Sequence, residues 1–70
     1  MKVYILEQLN PGWDQYEDKL VVAKTEKRAR KLANISYGDE GPIWDDKTQV
    51  KCSIVNLEWE YVFYGAYKGS

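Results

Sequence analysis

Cysteine occurs once in this chain, at Cys52, and histidine does not occur at all. In a protein of 70 residues those two facts constrain the fold more than any motif does. A single thiol closes no intrachain disulfide, and the chain cannot supply the roughly four N or S ligands of a structural zinc site. A domain this short buries only about 60% of the surface its unfolded chain exposes, and its core contributes roughly 3–5 kcal/mol net. Stability must then come from large rings or from a partner subunit. Three Trp, six Tyr and one Phe provide the rings, each able to bury about 150–250 Å².

The same inventory narrows function. Without histidine no Ser-His-Asp or Cys-His set exists, and no glycine-rich phosphate loop is present, so neither catalysis nor a cofactor is expected. The chain is 44% hydrophobic with a net charge of −1, which fits one globular domain over residues 1–70 and not a disordered tail. No apolar run approaches the roughly 20 residues of a membrane helix. The start, MKVYILEQLNPGW, lacks a long apolar stretch and a small-residue cleavage site, so no signal peptide is expected. A lone cysteine fits a reducing cytoplasm.

Hydrophobic periodicity orders the chain as strand, strand, helix, strand, strand. Residues 2–9, KVYILEQL, read as a strand, with Val3 and Ile5 on one face and Tyr4 and Leu6 on the other. Apolar groups on both faces predict a central position. Asn10-Pro11-Gly12 signals a turn, and residues 19–25 form a second strand pairing antiparallel with the first. The spacing of Ala29, Leu32, Ala33 and Ser36 predicts a helix over residues 25–36, with Thr25 as N-cap, Glu26 at the positive end of the dipole and Gly38 past its end. Residues 50–57 alternate, with Val50, Cys52 and Ile54 inward. Residues 59–69, WEYVFYGAYKG, give the strongest strand pattern. The expected fold is α+β: a four-stranded, largely antiparallel sheet with one helix on one face, in the order β-β-α-β-β.

One helix covers one face of such a sheet. The other is expected to show rings, drawn from Tyr4, Tyr61, Tyr64, Tyr67 and the tryptophans, and an exposed aromatic face is usually a contact surface. The loop over residues 39–48 adds Asp39, Glu40, Asp45 and Asp46 around Trp44. Their spacing does not match an EF-hand, and no metal is expected. Two roles are open to Trp44: a plug that fills the core over an alanine-rich helix stripe, or an exposed anchor rimmed by Asp45 and Asp46. Lys24, Lys27, Arg28, Arg30 and Lys31 put five of the ten basic residues into eight positions. They form either a solvated helix face or a phosphate-contacting surface. The near-neutral net charge weighs against nucleic acid as the partner. Cys52 reads as a small buried hydrophobe.

A strand ending in Val21-Val22-Ala23, Ala29-Arg30-Lys31-Leu32-Ala33 in the helix, Asp39-Glu40-Gly41, Trp44 with Asp46, the single Cys52 and a last strand ending near Gly69 together resemble a family of short, mostly uncharacterised proteins encoded by phages and mobile elements. The resemblance spans residues 20–69 and departs from the family at NLEWEY and the tyrosine-rich end. It implies a bacterial host cytoplasm and, by analogy with anti-CRISPR proteins, binding to host defence machinery. The function expected is protein–protein binding by a small accessory protein, to a host or phage protein or to a second copy as a homodimer. The alternatives are a nucleic-acid-binding module using the basic helix Lys24–Lys31 and a self-associating structural protein.

Overall fold

The computed structural model describes residues 1–55. The segment at 59–69, and with it the expected fourth strand and Tyr61, Tyr64 and Tyr67, lies outside the described residues. Within them the fold is α+β, in the order β1 (Lys2–Gln8), β2 (Asp18–Ala23), α1 (Glu26–Ala33) and β3 (Val50–Ile54). The three strands form one antiparallel sheet in the order β2-β1-β3. β1 is therefore central, as its two apolar faces require.

Register decides which of those faces is covered. β1 pairs Tyr4 with Val21 and Leu6 with Lys19 on one side, and Tyr4 with Ile54 and Leu6 with Cys52 on the other. Side chains directly opposite in a pair share a face. Tyr4, Leu6, Val21 and Cys52 thus look toward α1, while Val3, Ile5, Leu20, Val22 and Ser53 look away. Tyr4 is 3% exposed and packs in a core with Leu6, Ala23, Ala29, Ala33, Trp44 and Val50. Its expected place on the open face is corrected: the helix settles on the Tyr4 side, and Tyr4 fills volume that the alanine stripe of α1 leaves.

α1 starts where the sequence indicates. Thr25 is extended (φ −140, ψ 162) and its hydroxyl accepts from the Arg28 N–H at 3.1 Å, satisfying one of the donors a helix start leaves open. The helix stops sooner than expected, with Asn34 rather than a residue near Gly38 as its C-cap. Asn34 Oδ1 accepts the Trp44 N–H at 2.9 Å, so the cap residue also holds the following loop. Ser36 is exposed as a result, and Ile54, expected inward, is exposed as well.

Candidate functional site

The loop between α1 and β3 is built around Trp44, and three ionised side chains hold it. Trp44 is fully buried, so of the two roles open to it the structure has the plug. Its indole N–H donates to Glu40 Oε2 at 3.1 Å. The other carboxylate oxygen, Glu40 Oε1, accepts the backbone N–H of Gly38 at 3.0 Å and of Tyr16 at 3.2 Å. Burial alone would push the Glu40 carboxyl up. Hydrogen bonds from the backbone N–H groups of Glu40, Gly38 and Tyr16 and from the indole outweigh it and hold the group below its ordinary value. Gly38 passes so close to the 13–17 loop that a Cβ there would overlap the Asp14 carbonyl oxygen. The need there is space, whereas Gly41, at φ +75, is needed for its left-handed backbone.

The second hub is Lys19. Its ammonium donates to the carbonyls of Ala33, at 2.6 Å, and Ser36, and lies 4.6 Å from the Tyr16 ring and 4.8 Å from the Trp44 ring. A cation at the last carbonyls of a helix offsets the negative end of its dipole, and the rings add cation–π attraction. Burial lowers the Lys19 pKa, and Glu40 opposes that fall.

Arg30 is the third. It was expected on the basic solvent face, and this is corrected: it is 5% exposed. Position 30 flanks the Ala29–Ala33 stripe, about 60° round the helix from Ala33, and from there Nη1 reaches the carbonyls of Trp44 and Val50, each at 3.1 Å. Nε donates to Glu26 Oε2 at 2.9 Å, one helical turn back. Among the described residues, every buried side-chain N or O atom has a hydrogen-bond partner.

The acidic loop is therefore divided in its duties. Asp46 closes its own turn, accepting from the Thr48 hydroxyl at 2.6 Å, the Thr48 N–H at 2.9 Å and the Gln49 amide at 2.8 Å. The Thr48 hydroxyl, the Gln49 side chain and the Thr48 N–H lower its pKa to about 2. Asp39 and Asp45 remain exposed. No group of three or more His, Cys, Asp or Glu side chains among the described residues could hold a metal ion. Cys52 is half-buried; burial, then Glu26, raises its thiol pKa, against a smaller opposing effect of Arg30.

Two surfaces are left over by this architecture. The first is the sheet face away from α1. Leu20 is 48% and Val22 58% exposed there, beside half-buried Val3 and Ile5. Glu7 and Asp18 stand opposite each other at one end. Burial, then Glu7 and Glu17, raises the Asp18 carboxyl pKa, and Lys51 stands opposite Glu7 on its other side. The second is a cleft of about 420 Å³ along α1, lined by Glu26, Lys27, Arg30, Lys31, Asp45 and Lys47. Lys47 was missed by the sequence reasoning. Its position beside Lys27 and Lys31 depends on the fold of the loop, which no local spacing reveals. Lys24 and Arg28 are exposed outside that cleft.

No helix among the described residues is long and apolar enough to cross a membrane. In comparisons with known proteins, no family model matches the chain, and no curated protein or solved structure matches it either.

Proposed function

We propose that this protein is a small binding module that docks a partner protein on the sheet face opposite α1. One observation carries this: among the described residues α1 covers one side of the sheet, and the other side, where Val55 is buried opposite Val3, presents Leu20 and Val22, 48% and 58% exposed, next to half-buried Val3 and Ile5. Apolar residues gathered on a small domain, in place of the polar alternation of a solvated strand, favour a contact role. Asp18, Glu7 and Lys51 in a row at one end of this face favour a partner whose apolar ridge is flanked by charged side chains. The likeness of residues 20–69 to short phage-encoded proteins points to a protein of a bacterial host, defence machinery included, as that partner. Of the rings expected on that face, Tyr4 and Trp44 lie in the core, and the exposed apolar residues described there are Leu20 and Val22.

The test separates face from fold. Val3→Thr with Ile5→Thr keeps β-branched residues on the central strand while removing apolar surface. A host protein retained by the wild type is expected to be lost with this double variant and kept with Lys27→Glu. Retention by the double variant at wild-type levels refutes the docking face.

Lys27, Lys31 and Lys47, brought together at the α1 cleft, support a second function, phosphate contact by a nucleic-acid-binding module. Its mark is a mobility shift with single- or double-stranded DNA that weakens steeply with salt and disappears with Lys31→Glu plus Lys47→Glu. Absence of a shift at low salt removes it.

A further inference from the structure

β2 is an edge strand, and its outer side is unpaired among the described residues. The Gln8 N–H donates to the Glu17 carbonyl, and the Val55 N–H to the Val3 carbonyl. With the registers of β1, these bonds fix which backbone groups face which neighbour. Hydrogen-bonded and non-bonded pairs alternate in an antiparallel ladder, so Lys19, Val21 and Ala23 direct their backbone groups to β1. Asp18, Leu20 and Val22 direct theirs outward. The side chains of Leu20 and Val22 are exposed beside that edge. On the helix side of the strand runs an open groove of about 480 Å³, with Leu20, Val21, Leu32 and Ile35 in its walls. An exposed edge flanked by apolar side chains on both faces is a template for another strand.

We propose that the occupant of this edge is a second copy of the chain, paired β2 to β2 antiparallel about a two-fold axis at Val21. Only registers that set even-numbered residues opposite even-numbered residues match the outward backbone groups. Among them, one places Leu20 opposite Val22 of the second copy and Asp18 opposite its Lys24, twice over by symmetry. The segment DKLVVAK is self-complementary in that register: opposite charges at its ends, aliphatic residues in its middle. Registers shifted by two residues set Leu20 against Lys24 or Asp18 against Val22 and lose the match. In the isolated subunit the neighbours acting on the Asp18 carboxyl are Glu7 and Glu17, so the incoming ammonium meets an excess of negative charge. The two-fold axis stands perpendicular to the sheet. The described strands then form one six-stranded antiparallel sheet, β3-β1-β2-β2-β1-β3, with both helices on one side and the two apolar faces joined on the other. The dimer is independent of the partner-docking function proposed above and would double its surface.

Sedimentation equilibrium of the full chain at low salt, from about 1 to 100 µM, a span suited to interfaces of modest affinity, tests it. The wild type is expected to dimerise. Asp18→Lys and Lys24→Asp are each expected to weaken the dissociation constant about tenfold, because each sets like charges opposite one another twice. Mixing the two variants in equal amounts restores opposite charges at both positions, so the mixture is expected to return to wild-type affinity. That recovery is not available to variants that merely fail to fold. Val22→Pro removes only an outward-facing N–H and is expected to abolish association while leaving the circular dichroism unchanged. A wild type that stays monomeric throughout the range overturns the proposal, as does a mixture no tighter than either variant alone. Capture of a host protein with no self-association, or self-association with no capture, tells failure of one idea from failure of the other.

Discussion

Replacing Arg30 with methionine removes a guanidinium and keeps most of the unbranched stem. In the folded protein Nη1 donates to the buried carbonyls of Trp44 and Val50, each at 3.1 Å. Leaving a buried acceptor without a donor costs about 1–3 kcal/mol, so two such acceptors cost about 2–6. The bond to Glu26 adds little, because that carboxylate is 45% exposed and exposed pairs contribute about 0.3–0.5 kcal/mol. Methionine also avoids the desolvation of a buried cation, which returns part of the loss. A net destabilisation of about 2–4 kcal/mol follows, against a total of roughly 4–10 kcal/mol for a chain this long at 0.05–0.15 kcal/mol per residue. Urea unfolding followed by tryptophan fluorescence reads it as a lower midpoint with an unchanged slope. Lys31→Met is the control: one position along, on the exposed side, it is expected to stay within about 0.5 kcal/mol of wild type. If Arg30→Met costs less than about 1 kcal/mol, or no more than the control, the guanidinium does not hold the 44–50 loop, and Arg30 returns to the basic surface where the sequence placed it.

Gly38→Ala should cost about 1–3 kcal/mol, since its Cβ would overlap the Asp14 carbonyl and lie 2.9 Å from Glu40 Oε1, in a place where backbone must shift; thermal denaturation reads it, and a neutral outcome would mean the two loops are not in contact. Glu40→Gln has one acceptor oxygen where the carboxylate has two, so either the indole or the Gly38 and Tyr16 N–H groups lose their partner, at about 1–2 kcal/mol in urea unfolding. The folded Glu40 pKa is depressed below 4.5, so its stabilisation is complete above that pH and fades as pH falls through the folded value; in Glu40→Gln the melting temperature should depend less on pH in that acid range. Asp46 behaves likewise: its contribution is complete above pH 3.8 and lost as pH falls toward about 2, and Asp46→Asn should flatten the melting temperature between those values, whereas an unchanged pH profile would deny its turn bonds a role.

Where the chain's own periodicity carried the information, the sequence was legible. β1, β2 and α1 stand close to the expected positions, Thr25 caps the helix, and the small residues Ala29 and Ala33 made a plug one of the two roles open to Trp44. Tyr4 was not legible, because a strand apolar on both faces does not declare which face the helix will take. That choice follows from the path of β2 into α1, which lets Ala23 and Ala29 share one core. Arg30 left a partial signal: it stands four residues after Glu26 and flanks the stripe of buried alanines on the helix surface, a position from which a long side chain reaches inward. Lys19 left none. Its partners, the carbonyls of Ala33 and Ser36, lie 14 and 17 residues away, beyond any local pattern. The four carboxylates of the loop looked alike in sequence, yet one is tied to an indole and two loops, one closes a turn, and two face solvent.

That division of labour bears on where binding can occur. Lys19, Arg30 and Glu40 converge on the Trp44 side of the sheet, and each gives its charge to backbone or indole groups of the fold. A partner recruited there would compete with bonds that a 70-residue domain needs for its own stability. Among the described residues, Leu20 and Val22 and the outer edge of β2 make none of these bonds. The described bonds that hold the fold thus gather on one side of the sheet, and the proposed docking face is the other. Substitutions at Arg30 or Glu40 should lower stability while the folded fraction keeps its affinity, and substitutions at Val3 and Ile5 should do the reverse. A variant of Glu40 that stayed fully folded and yet lost partner binding would break that separation and return the acidic loop to the recognition surface.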